Sequence, residues 1–185
     1  MTRRVPEQID DGDVRIRRPN LGDAPAVFRA VDASRQELER WMNWCTPEYS
    51  LGDAEAWIMR SAIGWPRGPE CPFVVERLSD RSIVGCTGLR PVGDFDANYE
   101  LGCWIRSEAT GGGLARRAVA LAARFAFEQL GAGRIGVLVA AENAASLRVA
   151  EAVGAAREGV QRQRMLVRGE RMDAVMFGLL PGELP

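Results

Sequence analysis

The residues best suited to chemistry lie in a glycine-rich segment at 110–115, which follows an apolar stretch and opens a helical pattern. Glycine lets the backbone adopt positive φ and approach a ligand closely. The free amides at a helix N-terminus, together with the helix dipole, attract anions. The segment predicts a phosphate or pyrophosphate cradle, although a flexible turn that begins a helix with glycine explains the triplet equally well.

The same glycines do not complete the dinucleotide fingerprint G-x-G-x-x-G. Gly111 and Gly113 would require a third glycine where the chain has Arg116. The strand before the loop also belongs to an antiparallel meander, whereas the fingerprint belongs to a βαβ unit. A dinucleotide site of that type is therefore not expected.

Two absences restrict the chemistry. The chain of 185 residues contains no histidine, and all 24 of its basic residues are arginine. Without histidine, a Ser-His-Asp triad and the usual zinc sites are excluded, and without lysine, so are a Walker A loop and a lysine Schiff base. Backbone amides and arginine must then hold a phosphate, and carboxylates, hydroxyls, thiols or water must transfer protons.

Charge and cysteine content indicate the compartment. The formal net charge of −1, with acids and bases in both halves, predicts neither a nucleic-acid footprint nor a basic membrane patch. No apolar run is long enough to span a bilayer, and the N-terminus lacks the apolar segment of a signal peptide. We expect a cytoplasmic protein without a bound metal. Its cysteines form no C-x-x-C pair and should be free and mostly buried: Cys45, Cys71, Cys86 and Cys103.

Apolar periodicity and turn residues predict a mixed α/β domain over residues 13–181, after a loose, flexible terminus at 1–12. Capping-box patterns at Ser34 and Glu37 and at Ser50 and Asp53 mark two helix starts. The predicted elements are a strand at 14–18, helices at 23–31, 35–42 and 53–63, strands at 73–78, 82–92 and 98–105, a helix from the glycine loop to about 130, a strand at 134–140, a helix from 143 or 144 to 153, and strands at 158–167 and 171–179.

The glycine loop Thr-Gly-Gly-Gly-Leu-Ala has recognisable neighbours. Tyr-Glu-Leu-Gly-Cys-Trp-Ile precedes it at 99–105, and Glu-Asn-Ala-Ala-Ser-Leu-Arg-Val follows the next strand at 142–149. Ala-Val-Gly-Ala-Ala-Arg-Glu-Gly at 152–159, Val-Arg-Gly-Glu at 167–170, Arg-Ile-Arg-Arg-Pro at 15–19 and Trp-Met-Asn-Trp at 41–44 complete the set. In this order, over about residues 14–180, they resemble the RimJ/RimL-type branch of the GNAT superfamily of N-acetyltransferases.

The resemblance implies a central, mostly antiparallel sheet of six to seven strands flanked by helices. The sheet would splay between the strands at 98–105 and 134–140, where acetyl-CoA would bind as acyl donor and leave as CoA. The family's pyrophosphate loop, Q/R-x-x-G-x-G/A, matches Thr110, Gly111, Gly112, Gly113, Leu114 and Ala115. Thr110 replaces the usual Gln or Arg, and Gly112 replaces a common polar residue. We therefore expect weaker cofactor binding unless Arg116 or Arg117 compensates; a solvated position on the helix surface suits Arg117 better.

The resemblance also implies further contacts with the cofactor. Backbone groups of Trp104, Ile105 and Arg106 would pair with the pantetheine arm, and a nearby amide would polarise the thioester carbonyl. Asn143 would contact the cofactor and could also cap the following helix, a position that asparagine favours.

Two residues are candidates for proton transfer. Glu100 lies on the strand face opposite Tyr99 and Cys103, and could accept the amine proton through water or serve as a structural carboxylate paired with arginine. Ser146 matches the branch's candidate acid for the thiolate, or is a first-turn serine bonded to its own backbone. Cys103 is a weaker candidate as an acyl-carrying nucleophile, because no histidine can activate it.

The acceptor would be a primary amine, on a protein N-terminus, an amino acid or a small molecule, that attacks directly in a ternary complex. By resemblance, Trp41, Trp44 and Tyr49 would shape its pocket, whereas core packing is the safer interpretation of Trp57. A homodimer is compatible with the resemblance. Two other functions stay open: a catalytically weak or silent acyl-CoA-binding module of the same fold, and an unrelated nucleotide-binding protein.

Overall fold

The computed structural model describes residues 5–63, 65, 66, 68, 70–93 and 97–185. Its strands are β1 (Gln8–Asp10), β2 (Val14–Arg17), β3 (Cys71–Arg77), β4 (Ser82–Val92), β5 (Asn98–Ile105), β6 (Arg134–Ala140), β7 (Ala156–Val167) and β8 (Glu170–Leu179). Its helices are α1 (Ala24–Asp32), α2 (Arg35–Trp41), α3 (Leu51–Ser61), α4 (Leu114–Phe125) and α5 (Ala144–Ala152), and a π-helical turn, Ala126–Leu130, extends α4. None of the helices in these ranges is long and apolar enough to cross a membrane.

The described strands form one sheet in the order β1-β2-β3-β4-β5-β6-β8-β7. Neighbouring strands run antiparallel except for β5 and β6, which are parallel. The prediction of a mixed α/β fold with a mostly antiparallel sheet is therefore confirmed.

The sheet has eight strands instead of the predicted six to seven, because the terminus contributes β1. Ile9 lies opposite Ile16 of β2, and Asp10 forms an ion pair with Arg15 at 2.9 Å. The prediction of a loose terminus over 1–12 is thus wrong for residues 8–10, while residues 1–4 lie outside the described residues. A strand this short has too few apolar side chains to be recognised from its own sequence.

Helices cover both faces of the central sheet. Phe73 and Val75 of β3 join a core with Phe125 of α4, whereas Val74, between them, packs in a second core with α1 and α3. Because successive side chains of a strand point to opposite faces, a strand covered on both sides is apolar throughout. This explains the continuous apolar run in β3.

The two predicted capping boxes have different outcomes. Ser50 and Asp53 form the expected reciprocal bonds at the start of α3. The box predicted for Ser34 and Glu37 is wrong, because Ser34 makes no side-chain cap bond at α2. Its buried hydroxyl instead accepts a hydrogen bond from the Ser107 N–H at 2.9 Å, which ties the α1–α2 junction to the chain just after β5.

Candidate functional site

The sheet opens between its two parallel strands. β5 and β6 pair only through Asn98 with Arg134, Tyr99 with Ile135, and Glu100 with Gly136. Beyond Glu100 the two strands diverge, and β5 stays paired to β4 while β6 stays paired to β8. The predicted splay between residues 98–105 and 134–140 is confirmed.

Backbone groups of β5 point into this opening. The N–H of Arg106, directly after the strand, donates to the Val84 carbonyl of β4 at 2.8 Å. Successive residues of a strand direct their N–H and C=O groups to opposite edges. The groups of Ile105, Cys103 and Leu101 therefore face the opening, where β6 no longer pairs with them. The Arg106 amide is engaged in the sheet, and its carbonyl accepts a hydrogen bond from the Ala109 N–H at 2.9 Å, so a ligand contact of Arg106 would come mainly from its side chain.

The glycine loop lies at the wide end of the opening. A 3-10 turn at Ser107–Ala109 leads into it, and Gly111 and Gly113 have φ of 86° and 76°. Gly113 is the N-cap of α4, so the first amides of that helix lack helical acceptors. A Cβ placed on Gly111, Gly112 or Gly113 would meet no described atom within 4 Å. The space beside these glycines is therefore open, and the first amides of α4 have no helical acceptor, as an anion cradle requires.

The polar side chains near the loop are partly engaged within the protein. The Thr110 hydroxyl donates to the Ser107 carbonyl at 2.8 Å. Arg117 forms ion pairs with Asp11 at 2.9 Å and Asp13 at 2.8 Å, so it fastens α4 to the turn after β1. Leu114 and Ala115 are half-buried in the first turn of α4, and Arg116 is exposed.

A second helix N-terminus lies at the same end of the sheet, because α5 begins just after β6. Asn143 is its N-cap, and its side-chain oxygen accepts a hydrogen bond from the Ser146 N–H at 3.0 Å. The capping role of Asn143 is confirmed. No described group bonds to the half-buried Ser146 hydroxyl, so the bond to its own backbone that the sequence left open is not formed.

Glu100 lies where the opening narrows to the ladder. It is the last residue of β5 that pairs with β6, and its side chain is on the face opposite the buried Leu101. Its carboxylate forms a close ion pair with Arg90, the residue directly across on β4. The arginine pairing that the sequence left as an alternative is therefore present, and the carboxylate is 20% exposed.

An aromatic cluster, consisting of Trp44, Tyr49 and Trp104, lies beside the opening. The Trp44 ring centroid is 5.6 Å from Tyr49 and 6.0 Å from Trp104, and Trp44 remains exposed. Burial raises the pKa of Tyr49 to about 12, so its hydroxyl stays protonated at neutral pH. Trp44 and Tyr49, two of the three residues predicted to shape the acceptor pocket, are thus in contact with each other, whereas the sequence predicted only a backbone role for Trp104.

The other two tryptophans have different surroundings. Trp41 donates from Nε1 to Glu37 at 2.8 Å and stacks under Arg40, whose guanidinium carbon is 4.8 Å from the ring centroid. It makes no ring contact with the aromatic cluster among the described residues. Trp57 packs on the core beneath α1 and α3, as expected.

The thiols fit the sequence expectation of free, mostly buried cysteines. Burial raises the pKa of Cys103 to about 12, and a hydrogen bond with Thr87 only partly opposes that shift. Burial likewise raises the pKa of Cys71 to about 12. A thiol protonated at neutral pH is a poor nucleophile.

Two features near the loop were missed from the sequence. The Nε of Arg106 is buried without a hydrogen-bond partner in the described part of the chain, although the sequence predicted only backbone contacts there. Ser34 orders Ser107 from 73 positions away. Neither has a local sequence signal, because both depend on how α1 and α2 pack over β4 and β5.

Comparison with known sequences identifies the family. The Acetyltransferase (GNAT) domain family matches residues 13–156. YdaF of Bacillus subtilis (strain 168), named as a candidate ribosomal N-acetyltransferase, is 32% identical over 163 residues, which cover 87% of this chain and 87% of YdaF.

Solved structures share the architecture. RimJ of Mycobacterium smegmatis, in complex with a CoA disulfide, has a TM-score of 0.83 at 26% identity and covers 93% of this chain and 84% of its own. The microcin C7 self-immunity acetyltransferase MccE, in complex with acetyl-CoA and AMP, has a TM-score of 0.84 and covers 92% of this chain and 93% of its own. Its 16% identity shows a common fold only. The chain therefore belongs to the GNAT family of acetyl-CoA-dependent N-acetyltransferases, and its similarity to YdaF and RimJ places it in the RimJ/RimL branch.

Proposed function

We propose that this protein transfers an acetyl group from acetyl-CoA to a primary amine by direct attack in a ternary complex. The observation that carries the proposal is the opening between β5 and β6, with the glycine loop at its wide end. An extended pantetheine arm can pair with an unpaired strand edge, and a pyrophosphate suits free amides at a helix N-terminus. The complexes of RimJ with a CoA disulfide and of MccE with acetyl-CoA support this choice of ligand.

In this proposal the chain holds the cofactor mainly through its backbone. The amides of Gly111, Gly113 and the first turn of α4 would cradle the pyrophosphate, and Ile105 would pair with pantetheine. Asn143 would contribute through the side-chain amide that its capping oxygen leaves free. Thr110 could donate to a phosphate only by giving up its bond to Ser107.

Acetyl-CoA supplies an activated acetyl group, and the chain's own residues manage the protons. Glu100 would accept a proton from the attacking amine, through water, as the N–C bond forms, and would release it to solvent before the next turnover. Ser146 donates a proton to the departing sulfur as the C–S bond breaks, and regains one from solvent. The amide of Cys103 or Ile105 would donate a hydrogen bond to the thioester carbonyl oxygen as negative charge develops on it.

The acceptor would approach from the side of the aromatic cluster. The exposed Trp44 and the half-buried Tyr49 offer an aromatic surface next to Trp104 of β5, which borders the opening. Trp41 would contribute only at the outer margin. The name of YdaF supports a ribosomal-protein N-terminus as acceptor, and with it a cytoplasmic reaction.

The test is an acetylation assay with acetyl-CoA and a panel of amines, read by mass spectrometry. The panel contains peptides with free N-termini, amino acids and small-molecule amines. Transfer to at least one amine, with release of one CoA per acetyl group, is the expected result. CoA binding without any transfer would support the silent acyl-CoA-binding module instead. Absence of CoA binding would contradict both.

A further inference from the structure

The tip of the β7–β8 hairpin bonds to the segment that carries Trp44. Asn43 donates from its side chain to the Leu166 carbonyl and accepts from the Arg168 N–H at 2.9 Å. The Arg168 guanidinium donates to the carbonyls of Glu39 at 3.1 Å and Cys45 at 2.9 Å. We call these four hydrogen bonds the latch.

The latch joins the two sides of the opening. β8 pairs with β6, so the hairpin belongs to the β6 side of the sheet. The segment at 39–45 packs through Cys45 in a small core with Trp104 of β5, so it belongs to the other side. Ala140, the last residue of β6, pairs with Ala174 of β8. Residues 170–173 of β8 therefore extend beyond the end of β6. The opening is thus bounded by the β5–β6 ladder at its narrow end and spanned by the latch near its wide end.

The hairpin is shaped to reach across. Three residues of β7, at 162–164, lie opposite the single Asp173 of β8, and Gln163 has a φ of 55°. A bulge of this kind bends a strand and changes the direction of the residues beyond it. The bend directs the tip of the hairpin towards the segment at 39–45.

Arg168 occupies a backbone position that its residue type does not favour. The two-residue turn Arg168-Gly169 has φ of 51° and 81°, the left-handed pair for which asparagine or aspartate followed by glycine is preferred. An arginine held there stores conformational strain, which points to a role for its side chain. The Arg168 guanidinium fills that role by donating hydrogen bonds to the carbonyls of Glu39 and Cys45.

We propose that Arg168 is a positioning residue that fixes the width of the acceptor entrance by holding the segment at 39–45 against the β6 side. This inference rests on the proposed acetyl transfer. Arg168 itself touches no reacting atom. With the latch closed, an amine must pass the aromatic cluster through a window of fixed size, so loss of the latch loosens acceptor binding and leaves the cofactor loop intact.

The kinetic test uses Arg168→Asn, because asparagine suits the turn and removes only what the guanidinium makes, namely its two hydrogen bonds and an ion pair with the Glu39 carboxylate at 3.5 Å. We expect KM for the acceptor to rise roughly tenfold, since small displacements of positioning groups have effects of this order. KM for acetyl-CoA should stay within about twofold, as the loop is untouched. Arg164→Asn is the matched control, because among the described residues the Arg164 side chain hydrogen-bonds only to Gln161, at 3.1 Å and within the same hairpin. An unchanged acceptor KM in Arg168→Asn would overturn the proposal.

A second readout does not depend on activity. Cys45 is fully buried beneath the latch, and its carbonyl accepts one of the Arg168 bonds. A thiol reagent, followed by peptide mass spectrometry, should label Cys45 faster in Arg168→Asn and fastest in Asn43→Ala/Arg168→Asn, with Cys71 unchanged as internal reference. Equal labelling rates of Cys45 in wild type and Arg168→Asn would show, without any kinetic data, that Arg168 does not hold the segment at 39–45 in place. A wild-type protein that acetylates no amine refutes the proposed function, and the labelling result still decides whether Arg168 holds the segment.

Discussion

Glu100 and Arg90 lie opposite each other on β5 and β4 and form an ion pair. An experiment must therefore distinguish a role of the Glu100 carboxylate as general base from a role as partner of Arg90. If Glu100 accepts the amine proton, Glu100→Gln should lower kcat by about 100-fold or more, the usual range for a lost general base. CoA binding should not change, because the loop and the opening remain. Steady-state kinetics and calorimetric titration with CoA measure the two quantities.

Arg90→Gln is the control for this prediction. It removes the ion pair and leaves the carboxylate, so an activity loss confined to Glu100→Gln supports the base role. Equal losses of kcat in Glu100→Gln and Arg90→Gln would show that the carboxylate acts only through its pairing with arginine.

Cys103 should be dispensable for the chemistry although it lies next to the opening. With a pKa raised to about 12 by burial, roughly one thiol in ten thousand is ionised at pH 8. Cys103→Ala should therefore keep kcat within about threefold, and no acetylated Cys103 should appear in peptide mass spectra during turnover. Activity that rises with pH in wild type but not in Cys103→Ala would contradict direct attack.

At the scale of single residues, the sequence predicted on which face of a strand a side chain lies, but not which other residues it contacts. Alternation along β5 correctly separates Glu100 from Leu101 and Cys103. The pairing of Glu100 with Arg90, and the exclusion of Trp41 from the aromatic cluster, depend on strand register and on helix packing. Neither can be predicted from the local sequence pattern.

At the scale of elements, the loop's function depends on its backbone conformation. Gly113 has a φ of 76° at the N-cap of α4, and Gly131 has a φ of 71° beyond the far end of the same helical segment. Alanine meets no described atom within 4 Å at either site, so each substitution costs about 1–2 kcal/mol of folding free energy through φ alone. Denaturant unfolding should show similar losses of stability for Gly113→Ala and Gly131→Ala.

Only Gly113→Ala should also weaken CoA binding, because in the proposed complex the pyrophosphate would lie against the backbone of Gly113 and not against that of Gly131. We expect Kd for CoA to rise about tenfold, equivalent to the loss of one or two amide contacts. Calorimetry with CoA compares the two variants at equal stability. An equal Kd for Gly113→Ala and Gly131→Ala would place the anion elsewhere.

Most element boundaries could be predicted because periodicity and turn residues mark them. The predicted strands at 82–92, 98–105 and 134–140 agree with β4, β5 and β6. β1 was missed because it is short and polar, and it forms through pairing with β2. The sequence predicted that the Ser34 hydroxyl caps a helix, whereas in the folded protein it accepts a hydrogen bond from the Ser107 N–H.

At the scale of the whole molecule, a buried ion network fastens the N-terminal half of the sheet. Arg17 of β2 pairs with Asp23 at 2.7 Å and with Glu76 of β3 at 3.1 Å, and both carboxylates are buried. Arg17→Met should destabilise the protein by about 3 kcal/mol, because Asp23 loses its ion-pair partner while buried. Arg15→Met, on the same strand as Arg17, breaks the more exposed ion pair with Asp10 of β1 and should cost less than about 1 kcal/mol.

Urea unfolding of both variants measures the difference. Comparable small losses for Arg17→Met and Arg15→Met would mean that the buried network adds nothing beyond a surface pair. Activity per folded molecule should be the same in both, since neither arginine borders the opening.

The opening of the sheet between β5 and β6 was predictable from the family resemblance. The hydrogen bonds by which the β7–β8 hairpin spans this opening were not. A glycine loop after one strand and a capping asparagine after the next predict two helix N-termini at one edge. The latch joins Asn43 to Arg168 across 125 positions, and only the three-dimensional path of the chain brings these residues together.

A crystal structure of the protein with CoA bound is the most direct test of the proposed cofactor site. The pyrophosphate should lie against the amides of 111–115, and the pantetheine arm should pair with Ile105 between β5 and β6. The thiol end should lie near Ser146, on the way to Glu100. CoA bound outside the opening, or a β5–β6 ladder that continues past Glu100 in the complex, would show that the cofactor does not bind between these strands.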